Sequence, residues 1–253
     1  MLKKIFIAFG MCLVTAMFAA YFWWGSELVR KNRPALVCDK VCATVTDSAL
    51  CQFVHPDQIV SMISNSPAGC IGKAVDSIDI FSIEESLKAH SEIKSAEAYV
   101  DDRGVVSVSI SQRHPKIRIQ GRSRAYYVDE EMTEFPLVST YSAYVPLITG
   151  SVPDKPGKEW YRKMFALVDR IDADKELRNA FGQIHIESSG EVLLASVTHD
   201  LIIRIGRPDN LETKFDKLKS FYSNIAPARG WDRFNVVDLR FGEQIVCKNT
   251  NKI

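Results

Sequence analysis

Histidines and clustered carboxylates are the side chains of this sequence that could carry out catalysis or bind a metal ion. The five histidines are scattered, and none falls within a G-x-S-x-G, H-E-x-x-H, P-loop or dinucleotide-binding motif. His185 alternates with Ile184 and Ile186, which predicts a solvent-facing residue on a strand. We therefore expect structural histidines, no catalytic residues and no bound cofactor.

Two short segments could still hold a metal ion. Cys38, Cys42 and His55 are similar to the first half of a zinc site, but the second half of that pattern is missing. The segment VDEEMTE, 128–134, carries four carboxylates without the recurring oxygen-ligand spacing of a calcium loop. We interpret it as a solvated turn between strands and expect no metal site.

The charge balance excludes one class of partner. Lys and Arg total 32 against 31 for Asp and Glu, so no global field attracts nucleic acid. The basic segment 112–124 could contact phospholipid or glycan, but a solvated strand face explains it better. Without a catalytic site, the expected activity is binding to other proteins.

The N-terminus predicts a membrane anchor. Residues 5–24 carry no charge, and a helix of that length spans about 30 Å, the thickness of a bilayer core. Tyr21, Trp23 and Trp24 lie at its far end, where interfacial aromatic residues belong. The alternative is a cleaved signal peptide, but the apolar run is longer than such a core requires and no small-x-small cleavage site follows.

This anchor sets the predicted topology. Residues 1–4 form a short cytoplasmic start, 5–24 a transmembrane helix, and 25–34 a polar linker that ends in proline. Basic residues lie on both sides of the span, so the charge count alone does not fix its orientation. A short basic N-terminus before a long soluble tail favours export of the tail.

The exported part is predicted to contain two α+β domains. The first, 35–114, is a β-α-α-β-β unit that ends in a hairpin. Its first strand lies within 41–47 and its helices cover 55–65 and 82–93, the latter with a Ser82 and Glu85 capping box.

The second domain, 115–253, is predicted to be a mostly antiparallel sheet with helices over 158–171 and 210–225. It ends in a hairpin over 235–249, in which apolar and polar residues alternate up to Phe241, turn at Gly242 and Glu243, and alternate again. Too few residues follow to cover the last strand, so we expect an exposed edge, which invites pairing with another strand.

Five cysteines fall in the predicted exported part, an odd number that leaves at least one unpaired or bonded to another chain. If 40–46 form a strand, Cys38 and Cys42 are too far apart to bridge each other. The sequence leaves the remaining pairings open among Cys38, Cys42, Cys51, Cys70 and Cys247.

The order of these motifs resembles the FtsQ/DivIB family of bacterial division proteins, whose first exported module is a POTRA domain. Residues 82–119 resemble the family's helix, V-x-x-A-x-V strand and L-x-I-x-V-x-E-R-x-P strand, with Gln112 in place of the glutamate. YYVDEEMTEFP, 126–136, resembles Y-L-V-D-x-x-G-x-x-F, with Thr133 where the family often has glycine.

Two further segments extend the resemblance to nearly the whole chain. ETKFDKLKSFY, 212–222, is similar to the family's E-x-K-L-x-x-F helix. VVDLRFGEQIVCK, 236–248, is similar to V-D-L-R-Y-x-x-G-x-A-V-R, although its glycine comes directly after Phe241 and so earlier than usual.

The resemblance implies a non-catalytic, single-pass scaffold of the divisome in the cytoplasmic (inner) membrane, with periplasmic C-terminal domains and enrichment at the septum. It also implies that the C-terminal edge strand binds an FtsB–FtsL-like pair and so links it to an FtsW–FtsI-like septal cell-wall synthase, by strand addition. Phe241 could instead be a core residue, because it shares parity with Leu239. The contact residues expected from this resemblance are Arg240, Phe241, Ile245, Val246, Cys247 and Lys248.

The alternative function is an envelope assembly or secretion adaptor that uses its POTRA domain to bind client strands. Such proteins normally continue into a membrane barrel or carry several modules, and neither is predicted here.

Overall fold

A computed structural model describes residues 2–31 and 36–249 of the chain. The chain divides into two compact units that each draw on several segments. Each contains both helices and strands, so the predicted α+β class is confirmed. The first unit takes in Met1–Thr44, Pro56–Leu87 and Ala96–Ser109, and the second takes in Val45–His55, Lys88–Ser95 and Ile110–Ile253.

The N-terminal helix, α1, covers Leu2–Lys31 and includes 25–31 of the predicted linker, whose last residues, 32–34, lie outside the described residues. The predicted span, 5–24, also lies partly outside them, because side chains of 5–9, 11 and 12 are not described. Within the described residues, no helix combines the length and the apolarity that crossing a membrane requires. The large apolar side chains of α1 that are more than half exposed are Leu13, Val14, Met17, Phe18, Tyr21, Phe22, Trp23 and Trp24.

A three-stranded sheet and two helices follow in the predicted β-α-α-β-β order. Strand β3 lies in the middle, between β1 and β2, and buries every second residue because one of its faces is covered. The helices bury Ile59 and Ile63, and Ile83 and Leu87, at helical spacing. The elements are β1 (Lys40–Val45), α2 (Pro56–Asn65), α3 (Ile80–Lys88), β2 (Ile93–Val100) and β3 (Val105–Gln112).

Helix α3 begins earlier than the sequence predicted. Its first turn is capped by Asp79, whose Oδ1 accepts the N–H of Ser82 at 3.0 Å, so the predicted capping box of Ser82 and Glu85 is wrong. The helix ends at Lys88, five residues before the predicted 93.

The second sheet has nine strands in the order β12-β11-β10-β9-β8-β7-β4-β5-β6. Five of its eight neighbouring pairs are antiparallel and three are parallel, so the sheet is mixed with an antiparallel majority. The strands are β4 (Pro115–Gln120), β5 (Ala125–Asp129), β6 (Glu134–Pro136), β7 (Leu147–Gly150), β8 (Phe181–Ile186), β9 (Val192–Ser196), β10 (Ile202–Gly206), β11 (Phe234–Asp238) and β12 (Val246–Asn249).

Both predicted helices of this unit are confirmed, as α4 (Lys158–Asp172) and α5 (Leu211–Ser220). Their apolar sides share one core with alternate residues of the strands, such as Ile184 and Val237. His185, which alternates with Ile184, lies on the opposite face and is half-buried. Beyond α5 the chain forms a π-helical turn (Phe221–Ile225), the short helix α6 (Ala226–Arg229) and a 3-10 turn (Trp231–Arg233).

The turn between β5 and β6 corrects one detail of the sequence comparison. The backbone there adopts a positive φ of 63° at Met132, the conformation that glycine favours. The glycine-preferring position is therefore Met132, one residue before the predicted Thr133.

Candidate functional site

The last strand of the chain, β12, lies at the edge of the nine-stranded sheet. It pairs antiparallel with β11, with Asp238 opposite Val246 and Val237 opposite Cys247. No other described strand pairs with it, while residues 250–253 lie outside the described part of the chain. Every second residue of such a strand directs its N–H and C=O groups away from its neighbour, which leaves hydrogen-bonding capacity for an added strand.

The side chains of this edge divide between the two faces as the alternation predicted. Ile245 and Cys247 are partly buried against the core. Val246 is 38% exposed, and Lys248 is exposed. An added strand would therefore meet an apolar and a cationic side chain on the face away from the helices.

The turn before β12 is longer than the sequence predicted. Strand β11 ends at Asp238, not at Phe241, and 239–245 connect the two strands. The carboxylate of Asp238 accepts the N–H of Arg240 at 3.1 Å, a local turn that ends the strand because it competes with ladder pairing. A second turn closes where the N–H of Gln244 donates to the carbonyl of Phe241 at 3.0 Å.

Arg240 lies in a network of charged side chains. Its Nε donates to Oδ1 of Asp238 at 2.9 Å and its Nη2 to Oδ2 at 2.7 Å, while Nη1 donates to Oε2 of Glu191 at 2.9 Å. Its stem crosses Gly206, where an added Cβ would lie 2.6 Å from Cγ of Arg240. Gly206 therefore leaves room for the side chain of Arg240. Asp238 and Glu191 fix the position of its guanidinium group.

These contacts shift the pKa of both partners. Hydrogen bonds to Asp238 raise the pKa of Arg240. Burial by itself would raise the pKa of Asp238, but the hydrogen bonds and charge of Arg240 outweigh it and hold that pKa below its usual value. The pair is therefore ionised at neutral pH.

Lys217 of helix α5 fixes the same turn from the other side. Its ammonium donates to the carbonyls of Leu239 at 2.7 Å, Gly242 at 2.8 Å and Phe241 at 3.1 Å. Burial lowers the pKa of Lys217. Sequence reasoning missed this residue, because a lysine on an amphipathic helix has the same pattern whether it is solvated or bound.

Phe241 projects from this turn and is 49% exposed. The interpretation of Phe241 as a core residue is therefore wrong, because the chain leaves the strand at Asp238 and the strand parity no longer applies. The guanidinium carbon of Arg240 lies 5.7 Å from the centre of its ring. The edge thus carries an exposed aromatic side chain beside a cation. We define the edge surface as Arg240, Phe241, Ile245, Val246, Cys247 and Lys248.

The cysteines, histidines and carboxylates of the chain could bind a metal ion where their ligand atoms lie close together. Among the described residues, one group of three has ligand atoms within 4.8 Å of one another: Asp47, Cys51 and His114. It does not include Cys38, Cys42 or His55.

Hydrogen bonds already occupy this group. Oδ2 of Asp47 accepts the N–H of Gln112 at 2.8 Å and lies 2.8 Å from Nε2 of His114, while its Oδ1 accepts Nε2 of Gln112 at 3.2 Å. Burial and the nearby charge of Asp47 raise the pKa of Cys51 to about 11, so its thiol is protonated at neutral pH. These hydrogen bonds tie Asp47 to Gln112 and His114.

The same contacts explain why Gln112 replaces glutamate. Gln112 is 1% exposed, and its Nε2 also donates to the carbonyl of Cys51 at 2.9 Å while its Oε1 accepts the N–H of Val54 at 2.8 Å. A glutamate has no N–H to donate and would place a second negative charge beside Asp47.

The carboxylates of segment 128–134 pair with basic side chains of the protein. Asp129 accepts Nη1 of Arg113 at 2.8 Å, and Glu131 lies 2.6 Å from Nζ of Lys94. Glu134 pairs with Arg124. Arg113 also lies 3.8 Å from Glu131, so two of these carboxylates share it.

Comparison with protein families places these features in context. Residues 114–248 match the family model "FtsQ/DivIB, C-terminal related", and 36–111 match that of a POTRA-like domain. A search of the curated proteins finds no match to the chain. Both families are families of non-catalytic scaffolds. The edge surface lies within the first match.

Proposed function

We propose that this chain, which belongs to the FtsQ/DivIB family, is a membrane-held scaffold of bacterial cell division that binds a partner by strand addition at the edge surface. The observation that carries this proposal is the position of β12, whose outer side no other described strand occupies. An added strand gains affinity from backbone hydrogen bonds and specificity from alternate side chains.

The partner we propose is an FtsB–FtsL-like pair of bitopic division proteins, which would connect the chain to an FtsW–FtsI-like septal synthase. Within the edge surface, the outward-directed backbone groups of β12, on every second residue of Val246, Cys247 and Lys248, bind the added strand. Phe241 offers an aromatic anchor, a residue type enriched in interface hot spots. Arg240, held by Asp238 and Glu191, fixes the turn from which Phe241 projects.

We further propose that residues 5–24 anchor the chain in the inner membrane with its C-terminal domains in the periplasm, enriched at the septum. The support is the run of uncharged residues together with the exposed apolar side chains of helix α1, such as Phe18 and Trp23. Transfer of exposed apolar side chains of this kind from water into hydrocarbon is favourable.

Proline substitutions at neighbouring positions of β12 test the edge model. Consecutive N–H groups of a strand point to opposite sides. Of the two variants Val246→Pro and Cys247→Pro, one therefore removes a donor from the ladder with β11, and the other removes a donor from the open edge. We expect both variants to lose co-purification with the co-expressed FtsB–FtsL-like pair. The variant whose substituted N–H faces outward should lose co-purification while its thermal unfolding midpoint stays unchanged.

Each variant serves as the control for the other, since both remove one N–H from the same strand. The proposal is wrong if the variant with unchanged stability still co-purifies with the pair. Loss of binding only when the POTRA-like strand β2 is altered would instead favour the adaptor that binds client strands.

A further inference from the structure

Two cysteines of the first unit, Cys38 and Cys70, are fully buried side by side. We infer that they form a structural disulfide that ties the segment before β1 to the loop after α2. This inference concerns the first unit alone and does not depend on the edge surface.

Backbone hydrogen bonds bring the two segments together. The N–H of Cys38 donates to the carbonyl of Lys73 at 2.9 Å, and the N–H of Gly72 donates to the carbonyl of Cys38 at 2.8 Å. Next to them, Val37 and Ala74 form an antiparallel bridge. The two segments are therefore held at the separation of neighbouring strands, within which a disulfide can form.

A tight turn then places Cys70 beside Cys38. The N–H of Lys73 donates to the carbonyl of Cys70 at 3.0 Å, and Gly72 adopts a positive φ of 80° within that turn. The two thiols are hydrogen-bonded to each other, and both residues are 0% exposed. Burial and the hydrogen bond with Cys38 raise the pKa of Cys70 to about 11.

The other cysteine of this unit outside helix α1 does not compete for the pair. Cys42 is half-buried and comes two residues into β1, while the thiol of Cys38 donates to the carbonyl of Lys40 at 3.7 Å. Cys51 and Cys247 belong to the second unit. A Cys38 and Cys70 pairing leaves an odd number unpaired, in agreement with the count of five.

Formation of the bond is a thiol–disulfide exchange with an external disulfide, such as that of an oxidoreductase or oxidised glutathione. One cysteine thiolate attacks the oxidant's disulfide, forms a mixed disulfide and releases one thiol. The second cysteine thiolate then attacks the mixed disulfide at the sulfur of the first cysteine and releases the oxidant's other thiol. The pair loses two protons and two electrons, and the oxidant is reduced to two thiols. Because both cysteines are buried, we expect exchange while the segment is open, and protection from reductants after closure.

The cross-link closes a loop that contains β1 and α2, so it constrains the unfolded chain. Its reduction should lower the thermal unfolding midpoint of the unit by roughly 10 °C.

Peptide mapping tests the pairing directly. The full-length chain in mild detergent is unfolded with urea and reductant, refolded in glutathione buffers of increasing oxidised fraction, alkylated, and cut with trypsin and Asp-N. This double digest separates four cysteines into 32–38, 41–46, 47–56 and 57–73. We expect a linked pair of 32–38 and 57–73, with 41–46 and 47–56 alkylated.

Cys42→Ser is the matched control, because it removes a thiol of the same unit without touching the pair. It should retain the link and the unfolding midpoint, whereas Cys38→Ser and Cys70→Ser should each lower the midpoint as much as a reductant does. Complete alkylation of 32–38 and 57–73 in the most oxidising buffer, or linkage of either one to another cysteine peptide, would overturn the inference.

Discussion

The two edges of the nine-stranded sheet are closed to very different degrees. Strand β6 is three residues long and ends in Pro136, which has no N–H to offer. Its Phe135 is 1% exposed, with its ring centre 5.5 Å from those of both Phe53 and Tyr127. Strand β12, at the other edge, contains no proline, and none of its four residues is fully buried.

This difference indicates that β12, and not β6, is the edge at which a partner strand could add. A very short strand and a proline are ordinary ways to block edge pairing, and both are present at β6. At β12 the chain instead holds the preceding turn in place, with Lys217 on one side and Arg240 on the other. The protein thus stabilises the turn before an edge that no other strand of its described part covers.

The largest expected effect comes from Phe135→Ala at the closed edge. It removes a buried ring and should cost about 3–5 kcal/mol of unfolding free energy, measured by chemical denaturation. Because the substitution lies at the opposite edge from β12, binding of the division partner should be unchanged wherever the variant is folded.

Phe241→Ala is the matched aromatic substitution at the open edge. Since Phe241 is half exposed, it should change stability by less than about 1 kcal/mol while weakening partner binding. If Phe135→Ala weakens binding in the folded protein and Phe241→Ala does not, the functional difference between the two edges is refuted.

An effect on stability smaller than that of Phe135→Ala is expected from Lys217→Met. It removes the donor shared by the carbonyls of Leu239, Phe241 and Gly242, at a cost of about 2 kcal/mol. Amide hydrogen exchange of 239–249 should become faster, because the turn is no longer tied to α5. Lys219→Met is the control, since Lys219 lies on the same helix and is 63% exposed. Equal exchange rates in the two variants would contradict the role given to Lys217.

Regular elements were predictable from the sequence because their signals are local. The apolar spacing of Met164, Leu167, Val168 and Ile171 predicted α4, and the same reasoning predicted α2. The start of α3 was missed, because Asp79 also fits a loop and only its hydrogen bond to Ser82 identifies it as the cap.

The geometry of the edge surface depends on residues far apart in sequence. Alternation predicted a strand up to Phe241, but Asp238, Arg240 and Glu191 form a charged network that ends it earlier. Lys217 adds a contact from a helix. No local pattern shows that such residues meet, so the sequence predicted the exposed edge and its facing residues but not the turn.

A small effect on stability is expected from the charge of Asp238. Its folded-state pKa lies below the unfolded value of about 3.9, so its ion pair with Arg240 contributes stability above that pH and loses it as the pH falls through the folded-state pKa. Because about a third of the Arg240 side chain is exposed, we expect Asp238→Asn to cost only about 1 kcal/mol at pH 7.

The difference in unfolding free energy between the wild-type protein and Asp238→Asn should therefore shrink as the pH falls below about 4, where wild-type Asp238 loses its charge. Asp232→Asn, an exposed aspartate in the preceding 3-10 turn, should show no such pH-dependent difference. A difference for Asp238→Asn that stays constant from pH 7 to pH 3 would mean that the shape of the turn, rather than the ion pair, holds the edge surface in place.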